Sequence, residues 1–199
     1  MDAGDTRQVA DTYLADAAAI LGEVRVACLE DIVAASVLLI DAYRAGHGLL
    51  ICGNGGSAAD AQHLATEFIS ALTLDHARPA MRAIALTTDT SALTAIANDY
   101  GADRMFARQV EAIGTPGDVL IAISTSGTSP NVVVAVEEAR AADIAVVALT
   151  GASGGSLAQL ADVTIRVPSS VTGHIQEAHL AIEHLLASVT ERALYPDHA

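Results

Sequence analysis

A glycine-rich loop is the first stretch of the sequence whose residues could do chemistry. It reads GNGGS at residues 53–57 and follows the apolar run LLIC. Glycines let backbone amides approach a ligand, and the N-terminus of a following helix attracts phosphate through unpaired N–H groups and the helix dipole, without any lysine. Taken alone, the loop also fits a tight turn without a ligand, or the weak glycine fingerprint of nucleotide-dependent oxidoreductases.

A loop rich in serine and threonine, STSGTSPN at residues 124–131, follows another apolar run. Its hydroxyls belong to Ser124, Thr125, Ser126, Thr128 and Ser129. Gly127 gives the backbone freedom, and Pro130 suits the first turn of the next helix. Hydroxyls and amides at a helix N-terminus form a neutral cradle for an anion. The two loops together therefore predict a small phosphorylated substrate.

His63 and Glu67 supply a candidate base and candidate metal ligands just after the first loop. They are four residues apart, so a helix places both on one face and within reach of a common atom. A solvated His–Glu contact without a metal explains the same spacing.

A second polar set lies near the C-terminus, in the segment HIQEAHLAIEHLL. Gln176 and His184 are eight residues apart, about 80° around a helix and two turns along it. Glu183 is better aligned with Gln176, and it also forms a four-residue pair with His179. Spacing alone therefore does not choose between Glu183 and His184 as a metal ligand.

The composition limits which chemistry these residues can perform. The chain has 199 residues and a formal net charge of −14, and all ten of its basic residues are arginine. Without lysine there is no Schiff base, no pyridoxal phosphate anchor and no phosphate loop that depends on lysine. Because nonspecific nucleic-acid binding relies on many cations, we expect no nucleic-acid partner.

The N-terminus and the cysteines indicate the compartment. The N-terminal segment MDAGDTRQVAD lacks the basic and apolar parts of a signal peptide, and no uncharged stretch is a continuous apolar span. Cys28 and Cys52 lie in apolar runs, which is typical of buried small side chains rather than of a disulfide. We expect a cytoplasmic protein without a membrane partner. His47, His76 and His198 are assigned no role and are expected at the surface.

The elements that must position these residues follow from the apolar pattern. Residues 1–45 have helical spacing, with Leu29, Ile32, Val33, Val37 and Ile40 on one face. Five apolar runs then alternate with helical patterns: Leu49–Cys52, Met81–Leu86, Val119–Ile123, Ile144–Leu149 and Val163–Val167. This alternation predicts an α/β fold, a parallel sheet with helices on both faces that binds ligands at the carboxyl ends of its strands.

Four segments together resemble the phosphoheptose isomerases of the sugar isomerase (SIS) fold: GNGGSAADAQH, NDYGADRMFARQVEAIG, ISTSGTSPNV and VPSSVTGHIQEAH. The resemblance covers essentially the whole chain. It implies a single SIS domain over residues 1–199, with a helical lead-in at 1–45 and an α/β core at 48–195. It further implies a five-stranded parallel sheet and a homotetramer whose active sites lie at subunit interfaces.

The resemblance also implies the reaction and the residues that perform it. Sedoheptulose 7-phosphate would be converted to D-glycero-D-manno-heptose 7-phosphate through an enediol, with one Zn²⁺ per subunit. The implied zinc ligands are His63, Glu67, Gln176 and His184, with Glu67 as general base and His184 as its acid/base partner. The implied substrate-binding residues are Asn54, Gly55, Gly56, Ser57, Glu67, Asp99, Ser124, Thr125, Ser126, Ser129 and Gln176.

Four positions depart from the family pattern. Thr128 stands where relatives usually have Asn, and Ala71 and His174 stand where some have Arg. Gly173 stands where some have an acid. These changes leave the identity of the sugar open. A noncatalytic SIS-domain protein that binds a protein partner, such as the bacterial replication initiator, is the alternative from another functional class.

Overall fold

The computed structural model describes residues 2–72 and 78–196 and is built on a five-stranded parallel sheet. The strands are β1 (Leu49–Gly53), β2 (Ala83–Ala85), β3 (Val119–Ser124), β4 (Ala145–Thr150) and β5 (Val163–Arg166), in the order β2-β1-β3-β4-β5. The helices are α1 (Ala3–Ala27), α2 (Leu29–Arg44), α3 (Gly56–Ile69), α4 (Thr90–Tyr100), α5 (Ala107–Ile113), α6 (Pro130–Ala141), α7 (Leu157–Leu160) and α8 (Thr172–Leu194). The α/β class, the parallel sheet and the N-terminal helices predicted from the sequence are confirmed.

Side chains of the central strands alternate between two hydrophobic clusters, one on each face of the sheet. Leu49 and Ile51 of β1 join the cluster that contains α2, α3 and α8. Leu50 and Cys52 join the cluster that contains α5 and α6. Because both faces are covered, these strands are apolar at nearly every position. The first cluster extends from α1 to α8.

The N-terminal helices correct one detail of the sequence analysis. Ile32 and Ile40 of α2 pack into the core, but Leu29, Val33 and Val37 are 47%, 50% and 50% exposed. The predicted apolar face is therefore divided, because α2 turns one side to the sheet and the other to solvent. The core side is completed by Ala35, Ser36, Leu39 and Ala42.

Other predictions concern single residues and the membrane. Cys28 and Cys52 are free and buried, as predicted. The His47 side chain is partly exposed, whereas His76 and His198 lie outside the described residues. In the described ranges, none of the helices combines the length and the apolar character needed to cross a membrane.

The sheet topology brings the two predicted loops together. β1 and β3 are parallel neighbours, and Gly53 at the end of β1 pairs with Ile123 near the end of β3. The loops that follow these strands therefore start side by side at the carboxyl edge of the sheet, as the sequence predicts.

Candidate active site

The glycine loop joins β1 to α3 in a conformation that only small residues allow. Gly55 has φ +58°, and a Cβ on Gly56 would lie 2.3 Å from Nε2 of Gln176. Ser57 is buried in the first turn of α3. The loop thus places the N-terminus of α3 at the sheet edge and brings the Gln176 amide against it.

The serine loop turns its hydroxyls toward one another. Ser124 Oγ lies 2.9 Å from Ser129 Oγ and 3.4 Å from Ser126 Oγ. Thr128 donates its backbone N–H and its hydroxyl to Ser126 Oγ, at 3.2 and 3.1 Å. Ser129 directly precedes α6, whose first residue is Pro130, as the sequence predicts. A compact group of hydroxyls therefore lies at a helix N-terminus, where an anion is favoured.

The loops that follow β4 and β5 also border these hydroxyls, and no role was predicted for them from the sequence. The backbone N–H of Gly151 donates to Thr125 O at 3.0 Å, and that of Leu157 donates to Gly127 O at 3.1 Å. A cavity of about 240 Å³ is lined by Thr125, Ser126, Ala152, Ser153, Ser169, Ser170, Thr172 and Ile175. The added hydroxyl residues follow β4 and β5, so the rule that ligands bind at the carboxyl ends of strands could have found them.

His63, Glu67 and His184 converge between α3 and α8. Nε2 of His63 lies 2.7 Å from Nε2 of His184 and 3.5 Å from Oε1 of Glu67. One ligand atom from each of the three residues lies within 4.8 Å of the others. The His63 and Glu67 side chains are 41% and 12% exposed, so an ion from solvent can reach them. Two imidazole nitrogens and a carboxylate oxygen form a donor set that suits Zn²⁺.

Glu183 and His184, between which the spacing left the choice of ligand open, point in different directions. Glu183 is fully buried, and neither of its carboxylate oxygens has a hydrogen-bond partner among the described residues. Burial, reinforced by the nearby Asp60, raises the pKa of Glu183 to about 9. His184 instead faces His63 across the interface between the two helices.

Asn54 and Asp99 were both predicted to bind substrate, and the structure places them differently. The Asn54 and Asn131 amides exchange two hydrogen bonds, of 2.8 and 2.9 Å, which join the glycine loop to the start of α6. Asn131 is a residue that the sequence analysis missed. Asp99 is exposed on α4, and its carboxylate accepts a hydrogen bond from Asn98, not from a residue of either loop.

The chain is similar to known proteins over most of its length. A SIS domain family model matches residues 12–151. A phosphoheptose isomerase of Roseiflexus sp. (strain RS-1) is 52% identical over 166 residues, covering 83% of this chain and 83% of the relative. Solved phosphoheptose isomerases from Neisseria gonorrhoeae and Francisella tularensis match with TM-scores of 0.87 and 0.90, at 41% and 36% identity. The two matches cover 93% and 96% of this chain, and 98% and 100% of the respective solved chains.

The chain belongs to the phosphoheptose isomerase family.

Two of the positions that depart from the family pattern lie in a contact between α1 and α8. His174 Nδ1 lies 3.1 Å from Glu177 Oε2, and the Tyr13 hydroxyl donates to Glu177 Oε1 at 2.6 Å. A Cβ on Gly173 would lie 2.7 Å from the Tyr13 hydroxyl oxygen. The ring centroids of Tyr13 and His174 are 4.4 Å apart. Gly173 thus leaves room for the Tyr13 hydroxyl, and the buried His174 imidazole contacts the Tyr13 ring, so that α1 is held against α8.

Proposed function

We propose that this chain is a zinc-dependent aldose–ketose isomerase that converts sedoheptulose 7-phosphate to D-glycero-D-manno-heptose 7-phosphate. The observation that carries the proposal is the convergence of His63, Glu67 and His184 between α8 and α3. The N-terminus of α3 lies at the sheet edge beside the serine loop. The named relatives support the reaction, because curated proteins about 50% identical to this chain are phosphoheptose isomerases. A noncatalytic partner-binding protein would need neither the ligand cluster nor the hydroxyl cradle.

The proposed mechanism assigns proton transfer to Glu67 and His184, which are also proposed as metal ligands. The Glu67 carboxylate removes the proton from the carbon beside the carbonyl and returns it to the neighbouring carbon, through an enediol. His184 exchanges a proton with the oxygens of these two carbons. His63, Glu67, Gln176 and His184 would hold Zn²⁺, which would supply Lewis-acid polarisation of those oxygens and stabilisation of their negative charge.

Substrate recognition in this proposal relies on neutral groups at the phosphate end. Ser57, Ser124, Thr125, Ser126 and Ser129 bind the phosphate through hydroxyls and backbone N–H groups at the N-termini of α3 and α6. Asn54, Gly55, Gly56, Asp99 and Gln176 contact the sugar. Because Asp99 contacts Asn98 in this chain and neither of the two loops, its role in the proposal requires an active site at a subunit interface.

We further propose a cytoplasmic homotetramer with active sites at subunit interfaces and one Zn²⁺ per subunit. The apolar stripe Leu29, Val33 and Val37 on α2 supports self-association, because contiguous exposed apolar side chains mark interaction surfaces. A monomer by light scattering would contradict the interface sites.

The decisive experiment is the incubation of the full-length protein with sedoheptulose 7-phosphate, before and after chelation and after Zn²⁺ is restored. We expect turnover that chelation abolishes and Zn²⁺ restores. The matched control is sedoheptulose without phosphate, which should be a poor substrate because the serine loop has nothing to bind. The Ser124→Ala variant should raise KM for the phosphorylated sugar and leave the unphosphorylated one unaffected. No turnover by the zinc-loaded protein would refute the proposal for this substrate.

A further inference from the structure

Arg78 is a buried cation that links the two helices of the ligand cluster. Its side chain is 1% exposed, and its Nε donates to Oε2 of Glu191 on α8 at 2.8 Å. The Glu191 side chain is also nearly sealed, at 7% exposed. A buried ion pair of this kind is costly to desolvate and is tolerated only when the remaining donors find partners.

The remaining donors of Arg78 bind the C-terminal end of α3. Nη2 donates to the carbonyl oxygen of Glu67 at 2.7 Å, and Nη1 donates to that of Phe68 at 2.9 Å. Nη1 also donates to Pro79 O at 3.0 Å. Because α3 ends at Ile69, its last carbonyls lack helical partners, and a cation at this end is favoured by the helix dipole. Arg78 therefore holds the backbone of Glu67 itself.

Arg78 lies beyond the end of α3 and bridges its last carbonyls to Glu191 on α8, after two direct contacts between these helices. At the first contact Gln176 packs against Gly56, and at the second His184 meets His63. Glu191 follows His184 by seven residues, so it lies on the same face of α8 two turns further along. The ion pair therefore joins α8 to α3 directly beyond the ligand cluster, at the backbone of Glu67.

We propose that Arg78 is a positioning residue of this centre. By tying the Glu67 backbone to α8 through Glu191, it sets the separation between the Glu67 carboxylate and the imidazoles of His63 and His184. It contacts neither substrate nor reacting atoms. The proposal rests on the proposed function, which gives Glu67 its role as ligand and base. A purely structural ion pair would affect the stability of the fold but not the geometry of the bound metal.

The test is the Arg78→Lys variant, which keeps the charge but lacks the planar fork that reaches two carbonyls and a carboxylate together. Its matched control is Arg82→Lys, because Arg82 also forms an ion pair with a buried carboxylate, that of Asp118. That pair lies at the amino end of the strands, beside Gly48. Co²⁺ affinity by chelator competition and the absorption spectrum of bound Co²⁺ report the ligand geometry independently of turnover.

We expect Arg78→Lys to lower Co²⁺ affinity by about 10- to 100-fold and to change the spectrum, as the loss of a group that orients a ligand does. Its kcat should fall, while KM for the sugar phosphate changes by less than about threefold, because the serine loop binds the phosphate elsewhere. Arg82→Lys should match the wild type in affinity and spectrum. Glu191→Gln, which removes only the charge of the acceptor, serves as the second variant if Arg78→Lys does not fold.

Wild-type affinity and an unchanged spectrum in a folded Arg78→Lys or Glu191→Gln protein would overturn the proposal. Equal losses in Arg78→Lys and Arg82→Lys would also overturn it, because they would indicate general destabilisation. If the wild type binds Co²⁺ but does not turn over sedoheptulose 7-phosphate, only the proposed reaction fails. If the wild type binds no Co²⁺, both the metal centre and the positioning role are refuted.

Discussion

Two His–Glu pairs with the same spacing occupy opposite environments in this protein. His63 on α3 is 41% exposed and Glu67 is 12% exposed, and both converge with His184. His179 and Glu183 on α8 are fully buried. Nε2 of His179 lies 3.2 Å from the backbone carbonyl oxygen of Thr150, and its Nδ1 has no hydrogen-bond partner in the described ranges. One pair is accessible to an ion, and the other forms part of the core.

Burial favours the neutral form of both residues in the His179–Glu183 pair. It lowers the pKa of His179 to about 4 and raises the pKa of Glu183 to about 9, so both groups are neutral near pH 7. The nearby Asp60 also has a raised pKa, because burial outweighs the opposing effect of His63. Helical spacing determines which side chains can meet, but solvent access determines whether they can serve as charged ligands.

The largest expected difference between the pairs is in catalysis. Glu67→Gln should reduce kcat by about a thousandfold, because an amide cannot accept the proton that a general base removes. Glu183→Gln should leave kcat within about threefold, because an amide replaces a carboxyl group that is already neutral and of nearly the same shape. Steady-state rates with sedoheptulose 7-phosphate at saturating Zn²⁺ measure both. Comparable losses in the two variants would mean that the buried pair takes part in the reaction.

This comparison also shows how far the sequence could predict the centre. The alternation of apolar runs with helical patterns was sufficient for the parallel sheet, because strands covered on both faces must be apolar throughout. The same rule placed both loops at one edge. Spacing alone could not separate Glu183 from His184, because the choice depends on which side of α8 faces α3. Only the family resemblance favoured His184.

Residues that act through distant contacts were beyond prediction from local pattern. Asn131 meets Asn54 across 77 residues, and Arg78 meets Glu191 across 113. Nothing in the spacing of either residue indicates its partner, because the contact exists only after the sheet has ordered its strands. The hydroxyls that follow β4 and β5 were predictable in principle, since they obey the rule that identified the serine loop.

A smaller effect is expected in the pH dependence of stability, to which the buried His179–Glu183 pair contributes. The folded pKa of His179, about 4, lies below the unfolded value of about 6.5. Below pH 6.5 the unfolded chain therefore binds a proton that the folded chain does not, and stability falls until the pH reaches about 4. Lowering the pH from 7 to 5 should therefore reduce the unfolding free energy of the wild type by about 2 kcal/mol more than that of His179→Gln.

Urea unfolding at both pH values and one protein concentration measures this difference. Glu183 acts in the opposite direction: its folded pKa is raised, so its contribution is full below about pH 4.5 and is lost as the pH rises toward 9. The wild type alone can therefore show little net change, and the comparison must be made between variants. An identical pH dependence in His179→Gln and the wild type would mean that His179 titrates normally in the folded state.

Substitution of Gly56 tests whether metal binding by His63 and Glu67 depends on Gln176 of the neighbouring helix α8. Gly56→Ala places a Cβ where the Gln176 amide now lies, so Gln176 must move away from α3. We expect Zn²⁺ affinity to fall by about tenfold, comparable to the loss of a group that orients a ligand. Gly22→Ala is the matched control, because a Cβ there meets nothing within 4 Å. Unchanged Zn²⁺ affinity in Gly56→Ala would argue against Gln176 as a ligand.

The smallest expected effect concerns the exposed amide pair formed by Asn54 and Asn131. Asn54 and Asn131 exchange two hydrogen bonds at the surface, where water competes for both amides. A double-mutant cycle with Asn54→Ala and Asn131→Ala should give a coupling energy of about 0.5–1 kcal/mol in urea unfolding, far below the cost of leaving a buried group unpaired. Asn131→Ala should also raise KM for the sugar phosphate by a few fold, because Asn54 loses the partner that orients it. A coupling energy near zero would mean that the Asn54–Asn131 pair does not form in solution. Competition from water would then prevent these two hydrogen bonds, just as solvent access distinguishes the two His–Glu pairs.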